Sequence, residues 1–443
     1  MFKKEHLFLK LKIHGDLKMK VAFYECDVTP PLGGFIWGYY SERFANDVFT
    51  RLYAKAVVIQ DGDNTSAFVA IDTCAIPEGI YEAVTKRVYE YTGIKPENVC
   101  ISSDHTHTGA PVHDGPEVGC RKDDAYTDVF FRLCADAIIL AYKRLDDAEG
   151  KYAAIDVENT AYCRNYIHAD GTYRGGVRGE EGQKPLAVTN NTLQSIMFER
   201  DGKPIGAIVS YPLHQDTTGY SGNRELAYHG DYAAIISEQL KAKYGNDFVS
   251  VFLLAPCGDI NHYNYIANDF SQNSESIGKK LAAAMLESQK NAASIGNGVK
   301  SAMEFMEIPR RTFDANTEKQ HIIAMLQKEG FMRARNLMYY VSKKEPTSTT
   351  LPVQCFKIGD VLIAALPGEV YTKVANIIRD NTPFEKTIVI QNTNVYCGYI
   401  PSEEAFQDNA DLYEPTLCYH SCHIPEAGRM LSEKALELAN KLK

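Results

Sequence analysis

The run VCISSDHTHTG at residues 99–109 ends an apolar stretch in Asp104, His105 and His107, closed at once by Gly109. On extended backbone the side chains alternate, so histidines two positions apart present their rings on one side. Such a strand end either holds something or is merely solvated. Histidine suits both, being the commonest metal ligand and also an ordinary surface residue.

Other apolar runs finish in the same way. Ile208, Val209 and Tyr211 lead to His214; Phe252 and Leu254 lead to Asp259 and Asn261; Ile363 and Leu366 lead to Glu369; IVIQNTNVYCGYI ends at Tyr396 and Tyr399. Ligands of helix-covered sheets bind where strands stop, because a rigid frame meets variable loop chemistry there. Two imidazoles and a carboxylate are also what a catalytic zinc takes as protein ligands, leaving a position for water. Singly, each residue has a plainer reading: a strand reaching solvent, or, for Asp259 after Gly258, a turn or cap residue. Their coincidence favours one shared site.

The elements that must position them alternate from Lys20 onward. KVAFYECD reads as a strand, and AKAVVIQ and SAFVAID flank DGDNT as a hairpin. Helices are predicted over 78–91, 126–144, 231–244, 275–289, 317–340, 370–380 and 429–442; in the first, Ile80, Val84, Val88 and Tyr91 share a face and Gly93 follows its end. Hairpins mixed with crossovers imply an α/β (mixed α+β) fold of mixed sheets flanked by helices. No internal repeat, low-complexity tract or linker is visible. Residues 20–443 are therefore expected to form one large domain after an N-terminal extension, 1–19.

The 443 residues are 45% apolar and 23% charged, ordinary for a globular chain, and carry a formal net charge of −10. Nucleic acid is not an expected partner, since phosphate binding needs clustered Lys and Arg. The eleven scattered cysteines read as reduced, buried thiols and point to the cytoplasm. Lys10 and Lys12 interrupt the N-terminal apolar stretch below signal-peptide length, and no run of ~18 apolar residues provides a membrane span.

DVTPPLG (27–33), HTHTG (105–109), His214 with QDTTG, GDIN (258–261), LPGE (366–369) and NVYCGYIPSEEAF (394–406) occur in that order. Together they resemble the catalytic domain of the neutral/alkaline non-lysosomal ceramidase superfamily over about residues 20–443. The resemblance implies one Zn²⁺ held by His105, His214, Glu369 and Tyr399, with Tyr396 the alternative tyrosine. It implies His107 and Arg164, in YCRNY, over the reacting carbonyl.

Two departures stand out. Asn261 occupies the position of a serine assigned in ceramidases as a nucleophile, which puts ceramide hydrolysis in doubt, and no immunoglobulin-like region follows the helix after Pro425. A ceramidase-like protein rather than a true ceramidase is expected. A zinc with two His and one Glu activates water without a protein nucleophile. The expected reaction is thus cleavage of an amide or ester, with His107 and Arg164 stabilising the oxyanion. Asp104 or Asp259 would orient a histidine or move a proton, and Asn261 remains a candidate catalytic residue. The other readings are a non-catalytic metal-containing binding protein of the same fold and a ceramidase using a non-serine mechanism, and the same ligands also suit another divalent metal such as manganese or iron.

The loops at 108–124, 168–192, 215–230 and 400–428 are long enough to be lids or walls. They are polar and carry Arg174, Arg178, Lys184 and Arg224, which suggests a small polar substrate rather than a lipid. CYHSCH (418–423) is too crowded for a usual structural zinc and is expected at the active-site mouth. His229 is expected as a surface or loop residue, and Asp231 as a helix cap.

Overall fold

Strands Tyr53–Asp61 and Asn64–Ile71 form the expected antiparallel hairpin. The chain then crosses over through helix Ile80–Thr92 to strand Val99–Ser103, which runs parallel to Asn64–Ile71. Strand Lys20–Asp27 pairs with the far side of the hairpin, and helix Asp124–Tyr142 completes the unit. Ile80, Val84 and Val88 give the crossover helix its buried stripe, and Gly93 closes it with a bond to Tyr89. The structure is a computed structural model. It describes residues 19–115, 118–218, 224–312, 320, 323, 337–338, 346–407 and 410–443.

This order of elements is used three times. The second unit has strands Glu149–Asp156, Thr192–Arg200 and Lys203–Ser210, helix Asp231–Tyr244, the parallel strand Val249–Phe252 and helix Ser274–Ser288. The third has strands Val299–Pro309, Ser348–Ile358 and Val361–Ala365, helix Thr372–Asn381, the parallel strand Lys386–Ile390 and helix Ala427–Leu442. The expectation of no internal repeat is corrected: the repeat lies in topology, and residues 28–52, 157–191 and 310–347 separate the first two strands of each unit with unrelated sequence. The predicted helix 317–340 lies mostly outside the described residues, as does the extension 1–19 apart from Met19.

Strand periodicity decides how the units pack. Ala54, Ala56 and Val58 face their own helices, while Val57 and Ile59 turn to a core shared with Ile208 and Val251 of the second sheet and Ile363 and Ile388 of the third. Phe68 and Phe356 join the first and third sheets in that core, ring centroids 4.5 Å apart. Burying each such side chain stabilises by roughly 1.5–3 kcal/mol. The outer faces of the second and third sheets are covered by their own helices in the same way.

The strand ends of all three units are tied together at one end of this core. Ser103 N–H donates to the Asn392 carbonyl at 3.0 Å, and Gln391 N–H donates to the Leu254 carbonyl at 2.8 Å. All eleven cysteines are free thiols, and ten of them are buried. Among the described residues no helix is long and apolar enough to cross a membrane.

Candidate metal centre

Each unit sends one candidate ligand to this junction: His105 follows Val99–Ser103, His214 follows Lys203–Ser210, and Glu369 follows Val361–Ala365. His105 Nε2 lies 2.9 Å from His214 Nε2, and Glu369 Oε2 lies 3.2 Å from the first and 3.8 Å from the second. All three side chains are buried.

The HTH segment does not continue the strand as expected. His105 has φ 70°, a left-handed conformation unusual for a residue with a side chain. The turn is held by His105 N–H to the Thr73 carbonyl at 3.1 Å and by His107 N–H to the Gln215 carbonyl at 3.1 Å. Thr106 and Thr108 donate their hydroxyls to the His229 carbonyl, while the rings of His105 and His107 meet edge to face, centroids 5.0 Å apart. Both histidines thus reach one space through a tight turn, not through strand alternation.

Carbonyl groups aim the imidazoles. His105 Nδ1 donates to the Cys74 carbonyl and His214 Nδ1 to the Cys257 carbonyl at 3.3 Å. Each ring thus turns its Nε2 to the other, and two lone pairs at this distance repel unless a cation or a proton lies between them. Burial disfavours a charged His105, but Cys74 and Glu369 raise its pKa well above the ordinary value, so that a proton on His105 takes the cation's place. Glu369 Oε2 is buried with the two imidazole nitrogens facing it at 3.2 and 3.8 Å. Donors ~2.0–2.1 Å from a tetrahedral zinc lie about 3.3 Å apart, so the three observed separations suit one small divalent ion.

Glu369 and Tyr399 are partners in a short parallel ladder, Glu369–Val370 against Tyr399–Ile400. A close approach makes this possible: a Cβ on Gly368 would lie 2.4 Å from the Gly398 carbonyl. Tyr396 donates to Glu369 Oε1 at 3.0 Å, so both tyrosines border the carboxylate. Burial would raise the Glu369 pKa, but the charge and hydrogen bond of His105, a hydrogen bond from Tyr399 and the charge of Arg164 hold it below its ordinary value. Burial and the charge of His105 push His107 and His214 well below the usual histidine range. Both are neutral imidazoles, the form that binds metals and accepts protons.

Arg164 stands behind this wall. Its Nη2 donates to the Gly258 carbonyl at 2.7 Å and lies 3.3 Å from the Tyr399 hydroxyl, while Nε donates to Glu414.

The expected roles of Asp104 and Asp259 are not served by the observed contacts. Asp259 accepts from Thr372 N–H at 2.9 Å and from its hydroxyl at 3.0 Å, where helix Thr372–Asn381 begins. Asp104 accepts from Thr106 N–H at 3.2 Å and packs near Asp72, and burial, then the charge of Asp72, pushes its pKa well up. Neither bonds a histidine, because the backbone carbonyls already do. Asn261 is not brought to the cavity either: its side chain accepts from Tyr263 N–H at 3.0 Å and closes its own turn.

Asp231 begins its helix but also clamps Thr217 through the backbone N–H and hydroxyl. His229 is fully buried against Phe49, not on the surface.

The cavity beside the three donors has room for about 40 Å³, and much of its wall is aromatic: Trp37, Tyr39, Tyr40, Tyr413, Tyr419 and His420. Its single tryptophan in IWGYY was a signal available in the sequence, and Glu414 carried none. Of CYHSCH, Tyr419 and His420 reach the cavity while Cys418 and Ser421 close a turn. Of the loop cations that suggested a polar substrate, Arg174 pairs with Glu180 at 3.2 Å, Arg178 lies 3.7 Å over Phe270, and Lys184 is not part of the wall.

Residues 21–274, more than half of the chain, match the family of neutral/alkaline non-lysosomal ceramidases, N-terminal region. The chain belongs to that family. Its fold is similar to the crystal structure of neutral ceramidase from Pseudomonas aeruginosa, with TM-score 0.70 and 16% identity over 96% of this chain and 74% of that one. It is likewise similar to a ceramidase complexed with C2, with TM-score 0.69 and 15% identity over 96% and 75% of the two chains.

Proposed function

We propose that the protein is a zinc-dependent hydrolase that cleaves an amide or ester bond with water, His105, His214, Glu369 and Tyr399 holding the ion. What carries the reading is the facing pair of imidazole Nε2 atoms with Glu369 Oε2 against both. A divalent ion in such a set supplies a Lewis acid for a carbonyl and a water acidic enough to attack near neutral pH.

The remaining steps belong to the chain's own residues. The Cys74 and Cys257 carbonyls keep the two imidazoles in the ligating tautomer. His107, neutral and at the cavity wall, takes a proton from the attacking water and returns it to the leaving group. Arg164, fixed by Glu414, brings positive charge to Tyr399 and to the oxygen of the reacting carbonyl.

The aromatic wall suits a substrate that is apolar or flat beside its scissile bond. The names of the solved relatives make an N-acyl amide of the ceramide kind the first substrate to test. The Asn261 side chain closes its own turn on Tyr263 N–H, and no step of the proposed reaction calls on it or on a serine in its place.

The test is metal analysis together with release of fatty acid from a short-chain ceramide and from an N-acyl amine with a small polar head. One zinc per chain is expected, with turnover lost on chelation and restored by zinc. Retention of that zinc by a His105→Ala/His214→Ala double variant would refute the ligand set. A zinc-loaded protein inert towards both acyl classes would favour the binding-protein reading.

A further inference from the structure

Cys74 stands in the same cavity with its thiol unused by the proposed hydrolysis. Its Sγ lies 3.8 Å from His105 Nδ1, and ligand atoms of Cys74, His105 and His107 all fall within 4.8 Å of one another. The three residues are 3, 2 and 8% exposed, so the cluster is shielded from water.

No side chain bonds either ring nitrogen of His107, whose one contact of that kind is with the Gly38 backbone, although leaving a buried polar group unsatisfied is costly. The backbone closes the cluster on one side. A Cβ on Gly38 would come 2.9 Å from His107 Nδ1 and 3.1 Å from Cys74 Sγ, so only glycine fits against the pair.

We propose that Cys74, His107 and His105 form a second metal-binding set, selective for soft ions such as cadmium, which competes with the hydrolytic set for His105. Competition follows from the chemistry of one ring. To serve the soft set His105 offers Nδ1, which gives up its bond to the Cys74 carbonyl and leaves the ring proton on Nε2. A protonated Nε2 is no ligand for the ion shared with His214 and Glu369. The two sets are therefore alternatives.

The thiol selects the ion. Sulfur at 3% exposure beside two imidazoles makes a soft donor set, which favours an ion with high affinity for thiolate over a hard one. One sulfur–metal bond forms as one proton passes to solvent. The inference rests on the proposed hydrolytic set for the competition alone; the cadmium–thiolate bond stands apart from it.

The experiment titrates chelator-treated protein with cadmium and follows the ultraviolet thiolate-to-cadmium band. Wild type is expected to show a component worth one thiolate bond that is missing in Cys74→Ser and Cys74→Ala. The same component should persist in His214→Ala and be suppressed when wild type is first saturated with zinc. Cys74→Ser should keep its zinc and resist cadmium inhibition.

Identical bands in wild type and Cys74→Ser would overturn the set, and a band indifferent to zinc would overturn the sharing of His105. Should neither Cys74 variant fold, His107→Ala must show the same loss of the band. A Cys74-dependent band in a wild type that takes no zinc would uphold the soft set while removing the hydrolytic one.

Discussion

Arg164 and Glu414, 250 positions apart, meet in a buried ion pair on which the orientation of the guanidinium depends. Glu414 is 1% exposed and also accepts from Asn165 Nδ2 at 3.1 Å and the Tyr371 hydroxyl at 2.8 Å. Three donors fix the carboxylate, and the carboxylate fixes Arg164 beside Tyr399. Glu414→Ala is expected to lower kcat about 10–100-fold, the usual loss when an outer partner of a site is removed. Glu414→Gln, which still accepts hydrogen bonds, should recover part of it. Equal losses of kcat in both variants, or a change in KM alone, would count against a positioning role.

His107→Ala and His105→Ala should part ways. The first is expected to keep its metal and lose ~10²–10⁴-fold in turnover, the range for a positioned general acid or base. The second should lose the metal itself, because a first-rank ligand is gone. Elemental analysis of the two purified variants, beside their rates, reads both outcomes. Equal metal loss in both variants would end the division of labour between them.

Chelation should also register as stability. An ion that binds only the folded chain at a thousand times its dissociation constant stabilises by about 4 kcal/mol, so the melting temperature should fall on chelation and recover with zinc. The Glu369→Gln variant is expected to show a much smaller fall. An unchanged melting temperature in wild type speaks against an ion spanning three units.

Asp259 makes a pH prediction. Burial pushes its carboxyl up from 3.8 to about 6, against the hydrogen bonds from Thr372 that favour the charged form. A carboxyl with a raised folded pKa holds its proton more tightly in the native state. Its contribution is most favourable below the unfolded value and is lost as pH rises through the folded one. Asp259→Asn removes the titration and can still accept from Thr372. At ~1.4 kcal/mol per pKa unit, wild type should lose up to about 3 kcal/mol relative to the variant between about pH 4 and pH 7. Denaturation curves at both pH values test this; a constant difference would contradict it.

What was legible in the sequence was local. The helix over 231–244 matches its observed span, and the hairpin and the strands leading to His105, His214 and Glu369 are where apolar runs and turn residues place them. Long-range effects were hidden. Left-handed His105 follows from bonds to Thr73 and Ser103, and the partners of both imidazoles are carbonyls, which no side-chain pattern announces. Asp259 reads equally well as catalyst or cap until Thr372 is found beside it. The polar loops misled on the cavity wall because charge in a loop does not say which way the loop faces.

The threefold use of one unit sets an order on assembly. His105 belongs to the first unit, His214 to the second, and Glu369 and Tyr399 to the third. No ribosome-bound fragment ending before the last third can hold an ion in the proposed way, so loading waits for the chain to be nearly finished. An ion seated in the proposed way would act as a rivet through a three-way seam, and prising any one unit from the other two would first have to draw it out.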